Sequence, residues 1–274
     1  MTSAFIEPQL IFELALLGIG AGFLAGLLGI GGGMVMVPFL VRILTHRGVS
    51  GDHAVKMAIA TAMATILFTS LSTMRAHHRR GAVRWDIVRN MAPGIVLGSL
   101  AAGGGVFALV KGQALALGFA AFVGYAATRM LRAKPPSPDR LLPGRWGQAG
   151  VGAGIGFASG LVGAGGAFLA VPFMTRCNVL IHNAVATGAA IGFPIALAST
   201  IGYVVSGWSQ PATLTGAIGF LYLPALAVIS LASMMAAPFG ARAAHALDTR
   251  QLRRVFAVML YVLAADMLWR GLRG

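Results

Sequence analysis

The chain has 274 residues, of which 57% are hydrophobic and only 10% charged, with a mean hydropathy of +0.81; soluble domains are about half apolar and about a quarter charged, so a soluble globular protein is excluded and an integral membrane protein indicated. A formal charge of +14 would suggest nucleic acid in a soluble chain, but here Lys and Arg lie in short loops between apolar runs, where they report membrane topology instead. The single cysteine, Cys177, excludes a disulfide framework, a CxxC pair and a Cys-based metal site.

The opening MTSAFIEPQL has no basic start and no convincing cleavage signal, and is expected to be retained. The apolar region 10–44 that follows is too long for one ordinary span of about 20 residues and carries Gly29, Gly31, Gly32 and Gly33 in its middle. Glycine weakens a helix by about 1 kcal/mol relative to alanine, so two helical pieces with a break are expected. Apolar stretches then run over 53–74, 87–110 and 113–131. A basic segment with Pro135, Pro136, Pro138 and Pro143 reads as a connector. Beyond it the order returns: 148–174 broken at 163–166, then 183–206, 213–246 and 252–269. The expected organisation is a first membrane repeat over 1–131, a cytoplasmic linker over 132–147 and a second membrane repeat over 148–274.

The duplication is explicit in one motif. GAGFLAGLLGIGGGMVMVPF at 20–39 returns as GIGFASGLVGAGGAFLAVPF at 154–173, identical at 11 of 20 positions. Fainter likeness continues, with Ala60-Thr61 aligned to Ala186-Thr187, Gly81 to Gly207 and Pro93 to Pro224. A repeated, glycine-interrupted apolar stretch is the best sequence pointer to a transporter's binding site.

Topology turns on whether each broken region crosses once. If it does, the two sides carry 12 and 9 basic residues, which decides nothing. If it returns as a hairpin, or crosses twice, each half has an odd number of spans. The sides then hold 6 basic residues (Arg42, Arg47, Lys56, Lys111, Arg270, Arg273) against 15. The positive-inside rule prefers this arrangement. The fold class expected is therefore an all-α integral membrane protein of two homologous halves, arranged as inverted repeats, each with a glycine-broken first helix or hairpin.

Glycines at every fourth residue, Gly18, Gly22 and Gly26 and again Gly152, Gly156 and Gly160, suit close helix packing. Those at the break are adjacent and cannot form one stripe. A broken helix leaves N–H groups unpaired, tolerated in lipid only where protein, water or a ligand satisfies them. Each downstream piece begins with roughly half a positive charge from its dipole, a ready anion site. Gly31, Gly32 and Gly33 with Gly165, Gly166 and Ala167 are thus candidate substrate-binding residues. Since Ala167 stands where the first half has Gly33, alanine at Gly33 is expected to be milder than leucine at Gly32 or Gly166. Thr61 and Thr187 join the candidates because they align in the repeat. Gly29, Pro38, Gly163 and Pro172 are candidate hinges, the prolines lacking an N–H just after each break.

Among ionisable groups, Asp266 lies four residues before Arg270 and is expected to pair with it; Glu13 is a lesser candidate for a proton relay. His53, His77, His78 and His182 read as solvated loop residues, and no metal or cofactor site is expected. There is no GxxxxGK[ST] loop, GxSxG elbow or HExxH helix, which argues against an ATPase or hydrolase.

With these residues in hand, the chain resembles the sulfite exporter TauE/SafE family, also called the toluene sulfonate uptake permease family. The resemblance is carried by LLGIGGGMVMVPFL at 27–40, LVGAGGAFLAVPFM at 161–174 and AHHRRGAV at 76–83, and spans most of the chain. It implies secondary transport of sulfite, a sulfonate or a related small organosulfur anion across a bacterial inner membrane. The partners expected are that solute, the bilayer, and a coupled proton or other ion; nucleic acid is not expected, and the oligomeric state is not legible. The alternatives are a non-catalytic membrane scaffold subunit and a transporter of a small carboxylate. An enzyme is not expected, since no acid–base pair or metal constellation lies within the apolar runs.

Overall fold

The computed structural model describes residues 7–28, 32–131, 141–209, 214–243 and 249–273. Within them the chain forms α1 (Pro8–Leu28), α2 (Gly33–His46), α3 (Gly51–Arg79), α4 (Trp85–Leu109), α5 (Gly112–Leu131), α6 (Arg145–Val162), α7 (Ala167–Arg176), α8 (Ile181–Gly207), α9 (Leu223–Ala243) and α10 (Thr249–Arg273). One order of five helices, the second of them short, thus occurs twice. Six helices are long and apolar enough to cross a membrane, α3, α4, α5 and α8 among them. The protein is an all-α, multi-pass membrane protein.

Local chemistry explains several boundaries. α3 carries Asp52 in its first turn and His77, His78 and Arg79 in its last, charges that complement the helix dipole. α4 contains a π-helical stretch at Ala101–Val106, where Gly103 and Gly104 let its backbone approach Gly202 of α8. The apolar stretch 213–246 is not one helix: an antiparallel hairpin of β1 (Ala217–Ile218) and β2 (Leu221–Tyr222) precedes α9. Gly216 at φ +88° and Gly219 at φ +57° turn the chain there. Residues 132–140 of the expected linker lie outside the described residues, and its last three, 145–147, already belong to α6.

Ion pairs and hydrogen bonds fix the running directions. Glu7, just before α1, pairs with Arg47, just after α2, at 2.7 Å, so the two helices return the chain to the end where it started. Lengths agree: from Ala21, which faces Gly32, back to Pro8 is about 20 Å of helix, and α2 spans about 21 Å. α3 then crosses and α4 comes back, where Lys56 Nζ donates to the Ala108 carbonyl at 3.1 Å and the Gly112 N–H donates to Asp52. α5 crosses again. α8 begins where α3 ends, with Asn183 Nδ2 donating to the Ala82 carbonyl at 2.8 Å. α10 runs antiparallel to α5, with Gln113 Nε2 on the Gly271 carbonyl at 2.8 Å and the Thr128 and Tyr261 hydroxyls 2.7 Å apart.

The halves exchange helices. α1 packs along α9 and α6 along α4, so the first helix of each half lies on the fourth of the other. A Cβ built at Gly18 would stand 2.9 Å from the Ile229 carbonyl oxygen, and one at Gly152 would stand 2.6 Å from that of Met91. The glycine stripes are therefore packing surfaces, as expected. α3 and α8, the most buried spans, cross at the centre.

Candidate functional site

The second break is built from glycine conformations no other residue adopts easily. Gly163 ends α6 at φ +75° and its N–H, with that of Ala164, donates to the Ser159 carbonyl, a left-handed helix cap. Gly166 at φ +63° starts α7, with Leu169 and Ala170 donating to its carbonyl. Its hydrogens face Ile195 of α8 and Ile155 and Ser159 of α6. In the first half Gly29 and Gly31 lie outside the described residues, while Gly32 has an ordinary φ of −71°. Gly32 is required by space rather than by backbone conformation, since a Cβ would meet the Ala21 carbonyl oxygen at 2.7 Å.

The two breaks meet. A Cβ on Gly33 would run into the carbonyl oxygen of Gly163, and Gly163 itself faces Val37 of α2 and Ile59 of α3. Across the contact, Gly192 of α8 lies against the Gly165 carbonyl and Ser70 of α3. Alanine at Gly33 therefore meets backbone, a constraint the repeat alone does not show. In the second half the Ala167 methyl is accommodated by Gly188 of α8; the repeat puts Ala62 at the position of Gly188, so the small residue has changed sides.

Two helix N-termini, of α2 and α7, therefore begin at one buried centre. Among the described residues no acceptor faces the N–H of Gly165 or of Phe168. Ser159, fully buried beside Gly166, has a hydroxyl with no partner among the described residues. These donors, with two dipole ends, are what an anion requires. Sequence reasoning passed over Ser159, although the repeat marks it: the first half has Ala25 at its place.

Thr61 and Thr187 occupy equivalent places, and each accepts a backbone hydrogen bond from the other half. Thr61 Oγ1 accepts from the Tyr222 N–H at 3.1 Å and Thr187 Oγ1 from the Arg84 N–H at 3.0 Å. Each donor immediately precedes the fourth helix of the opposite half, so each threonine holds a helix start across the repeat. The Arg84 guanidinium, hydrogen-bonded to Asp86, is held above its ordinary pKa. Pro38 and Pro172 lie inside α2 and α7, which continue through them. Asp266 pairs with Arg270 at 2.9 Å. Among the described residues no three His, Cys, Asp or Glu gather into a set that could hold a metal ion.

Comparison with known proteins places these features in context. Residues 14–267 match the sulfite exporter TauE/SafE family. A probable membrane transporter protein of Haemophilus influenzae is 35% identical over 254 residues, covering 92% of this chain and 96% of that one. The probable membrane transporter protein YunE of Bacillus subtilis is 26% identical, covering 94% and 97%, and a probable membrane transporter protein of Xylella fastidiosa is 28% identical, covering 91% and 92%. No solved structure matches the chain.

Proposed function

Because the chain belongs to the sulfite exporter TauE/SafE family, a family of membrane transporters, we propose that it carries a small anion, such as sulfite, a sulfonate or another organosulfur anion, across a bacterial inner membrane by alternating access. The observation that carries this reading is the meeting of the two glycine breaks at Gly33 and Gly163. There the starts of α2 and α7 supply positive dipole ends without a buried side-chain cation. Backbone at Gly31, Gly32 and Gly33 and at Gly165, Gly166 and Ala167 would contact the anion, helped by the Ser159 hydroxyl. Thr61 and Thr187 would position the surrounding helices. Gly29, Pro38, Gly163 and Pro172 would act as hinges.

On this reading the halves are inverted repeats. Support comes from the pairing of Glu7 with Arg47, which makes the first two helices a returning pair. It comes also from the parallel packing of α1 on α9 and of α6 on α4, which sets α6 opposite to α1. The six basic residues Arg42, Arg47, Lys56, Lys111, Arg270 and Arg273 then fall at one end of the bundle. Arg79, Arg80, Arg129, Arg145 and Arg176, members of the larger set, fall at the other, the cytoplasmic end.

Purified protein in liposomes tests the function directly, with flux measured against a panel of sulfite, sulfonates and carboxylates. Saturable flux of sulfite or a sulfonate is expected. Folded protein that moves none of the panel would remove the carrier reading, and preference for a carboxylate would replace the substrate class.

A further inference from the structure

Two basic cavities lie on α2 and α7, one at each end of the bundle. At the end where α6 begins, a cavity of about 460 Å³ opens along α7, lined by Phe168, Phe173 and Arg176 and, from α5, by Tyr125 and Arg129. That is the size of a small-molecule site, roughly 300–1,000 Å³. At the opposite end a smaller cavity, about 210 Å³, lies between Arg42, Thr45 and His46 of α2 and Arg270 of α10. The two are counterparts. Arg42 and Arg176 are separated by the same 134 residues as Gly20 and Gly154 of the repeated motif, and each cavity joins the second helix of one half to the fifth of the other.

Their chemistry is alike in kind and unequal in strength. Among the described residues, no acidic side chain lines the larger cavity. There the Arg129 guanidinium is held against the wall by Tyr125, 5.9 Å over its ring, with Nη1 donating to the phenol oxygen at 3.4 Å. In the smaller cavity Arg270 is already paired with Asp266. Two guanidiniums facing a mostly aromatic and aliphatic wall match an anionic head carried on an apolar body.

We propose that the larger cavity binds an amphiphilic anion, an organic sulfonate or an acidic lipid headgroup, and that the two cavities are the antechambers of the central site. The second part rests on the carrier reading. α7 connects the places physically: Arg176 stands in its last turn and Phe168 in its first, beside Gly166, a path of about 12 Å. With no carboxylate among its described lining residues, the larger cavity is the tighter of the pair.

The chain's only cysteine, Cys177, lines the larger cavity and reports on its occupancy. The rate of its alkylation by N-ethylmaleimide is measured on the full chain in phosphatidylcholine liposomes, with and without hexanesulfonate. Hexanesulfonate is expected to slow alkylation, with its half-protecting concentration raised about tenfold in Arg176→Gln and Arg129→Gln, the weight of one charge-assisted hydrogen bond. Protection by phosphatidylglycerol in place of hexanesulfonate identifies a lipid headgroup as the occupant. If Cys177 reacts too slowly to follow, Cys177→Ser with Leu169→Cys puts the thiol on the same wall. Protection by neither compound, or equal protection in both glutamine variants, overturns the proposal. Sulfite flux is scored separately: protection without flux keeps the cavity and removes the carrier reading, and flux without protection does the reverse.

Discussion

Replacing Gly166 by alanine and by leucine separates its conformational role from its role toward the anion. At φ +63° an L-residue costs about 1–2 kcal/mol. The new Cβ would also run into Cδ1 of Ile195, the far end of a side chain that can turn aside for about 0.5–1.5 kcal/mol. The sum, roughly 1.5–3.5 kcal/mol, is tolerable against a typical stability of about 5–15 kcal/mol, so Gly166→Ala should fold and reach the membrane. Combining it with Ile195→Val removes Cδ1, and the two changes should couple favourably by about 1 kcal/mol in thermal unfolding. Leucine adds three further carbons toward Ile155 and the Ser159 hydroxyl, 3.4 Å from the Cβ position, where an anion would meet the Gly165 and Phe168 N–H groups. Losing one such charge-assisted bond, about 1.5–3 kcal/mol, should weaken sulfite affinity by about tenfold to a hundredfold in proteoliposome flux. Gly166→Asp should be worse, because its carboxylate would take the favourable field at the helix start and repel the anion. Normal flux and affinity in both Gly166→Leu and Gly32→Leu would refute the reasoning, since the anion could then not lie at the breaks.

Gly33→Ala should destabilise by about 1–3 kcal/mol through its clash with backbone, while Ala167→Gly costs less, about 1 kcal/mol; the order of the two unfolding temperatures decides. Thr61→Val leaves the buried Tyr222 N–H without its acceptor and should cost about 1–3 kcal/mol, while Thr187→Val, whose donor belongs to the exposed Arg84, should cost less, about 1 kcal/mol; both are read as a lower unfolding temperature, and an unchanged temperature in both would show that neither bond holds its helix start. Glu7→Ala, which removes a largely exposed partner of Arg47, should change stability by less than about 1 kcal/mol. A topology reporter after Gly274 should read periplasm and one near Ser137 cytoplasm; finding both on one side would eliminate the inverted arrangement.

Much of this was legible because lipid makes glycine and charge unusually informative. The paired breaks, the packing stripes at Gly18 and Gly152, and the Asp266–Arg270 pair follow from spacing alone. The hairpin before α9 was not legible, because Phe220, Leu221 and Tyr222 are as apolar as a span and only Gly216 and Gly219 signal the turn. The contact of Gly33 with Gly163 was not legible either, since it joins positions 130 residues apart with no periodic relation. Nor could the repeat alone show that Thr61 and Thr187 hold the starts of α9 and α4. Alignment equated the two threonines correctly while leaving their partners, which belong to the opposite halves, unnamed.

The exchange of helices restricts how a carrier of this construction can move. α1 on α9 and α4 on α6 are joined by glycines set against backbone, as at Gly18 with Ile229 and Gly94 with Ala149, and packed surfaces of this kind do not slide continuously. The sequence halves therefore cannot rock apart as two bodies, because each such pair contains one helix from either half. What remains movable is α2 and α7: short, each with a proline inside it, Pro38 and Pro172, and α7 joined to α6 through the left-handed Gly163 and Gly166. Both start at the shared break contact and finish at opposite ends of the bundle. A tilt of α7 would open the centre toward the cavity at Arg176, and a tilt of α2 toward the one at Arg42. Since Gly33 and Gly163 touch, displacement of one break would press on the other, and under the proposed alternating access this contact would couple the two gates mechanically.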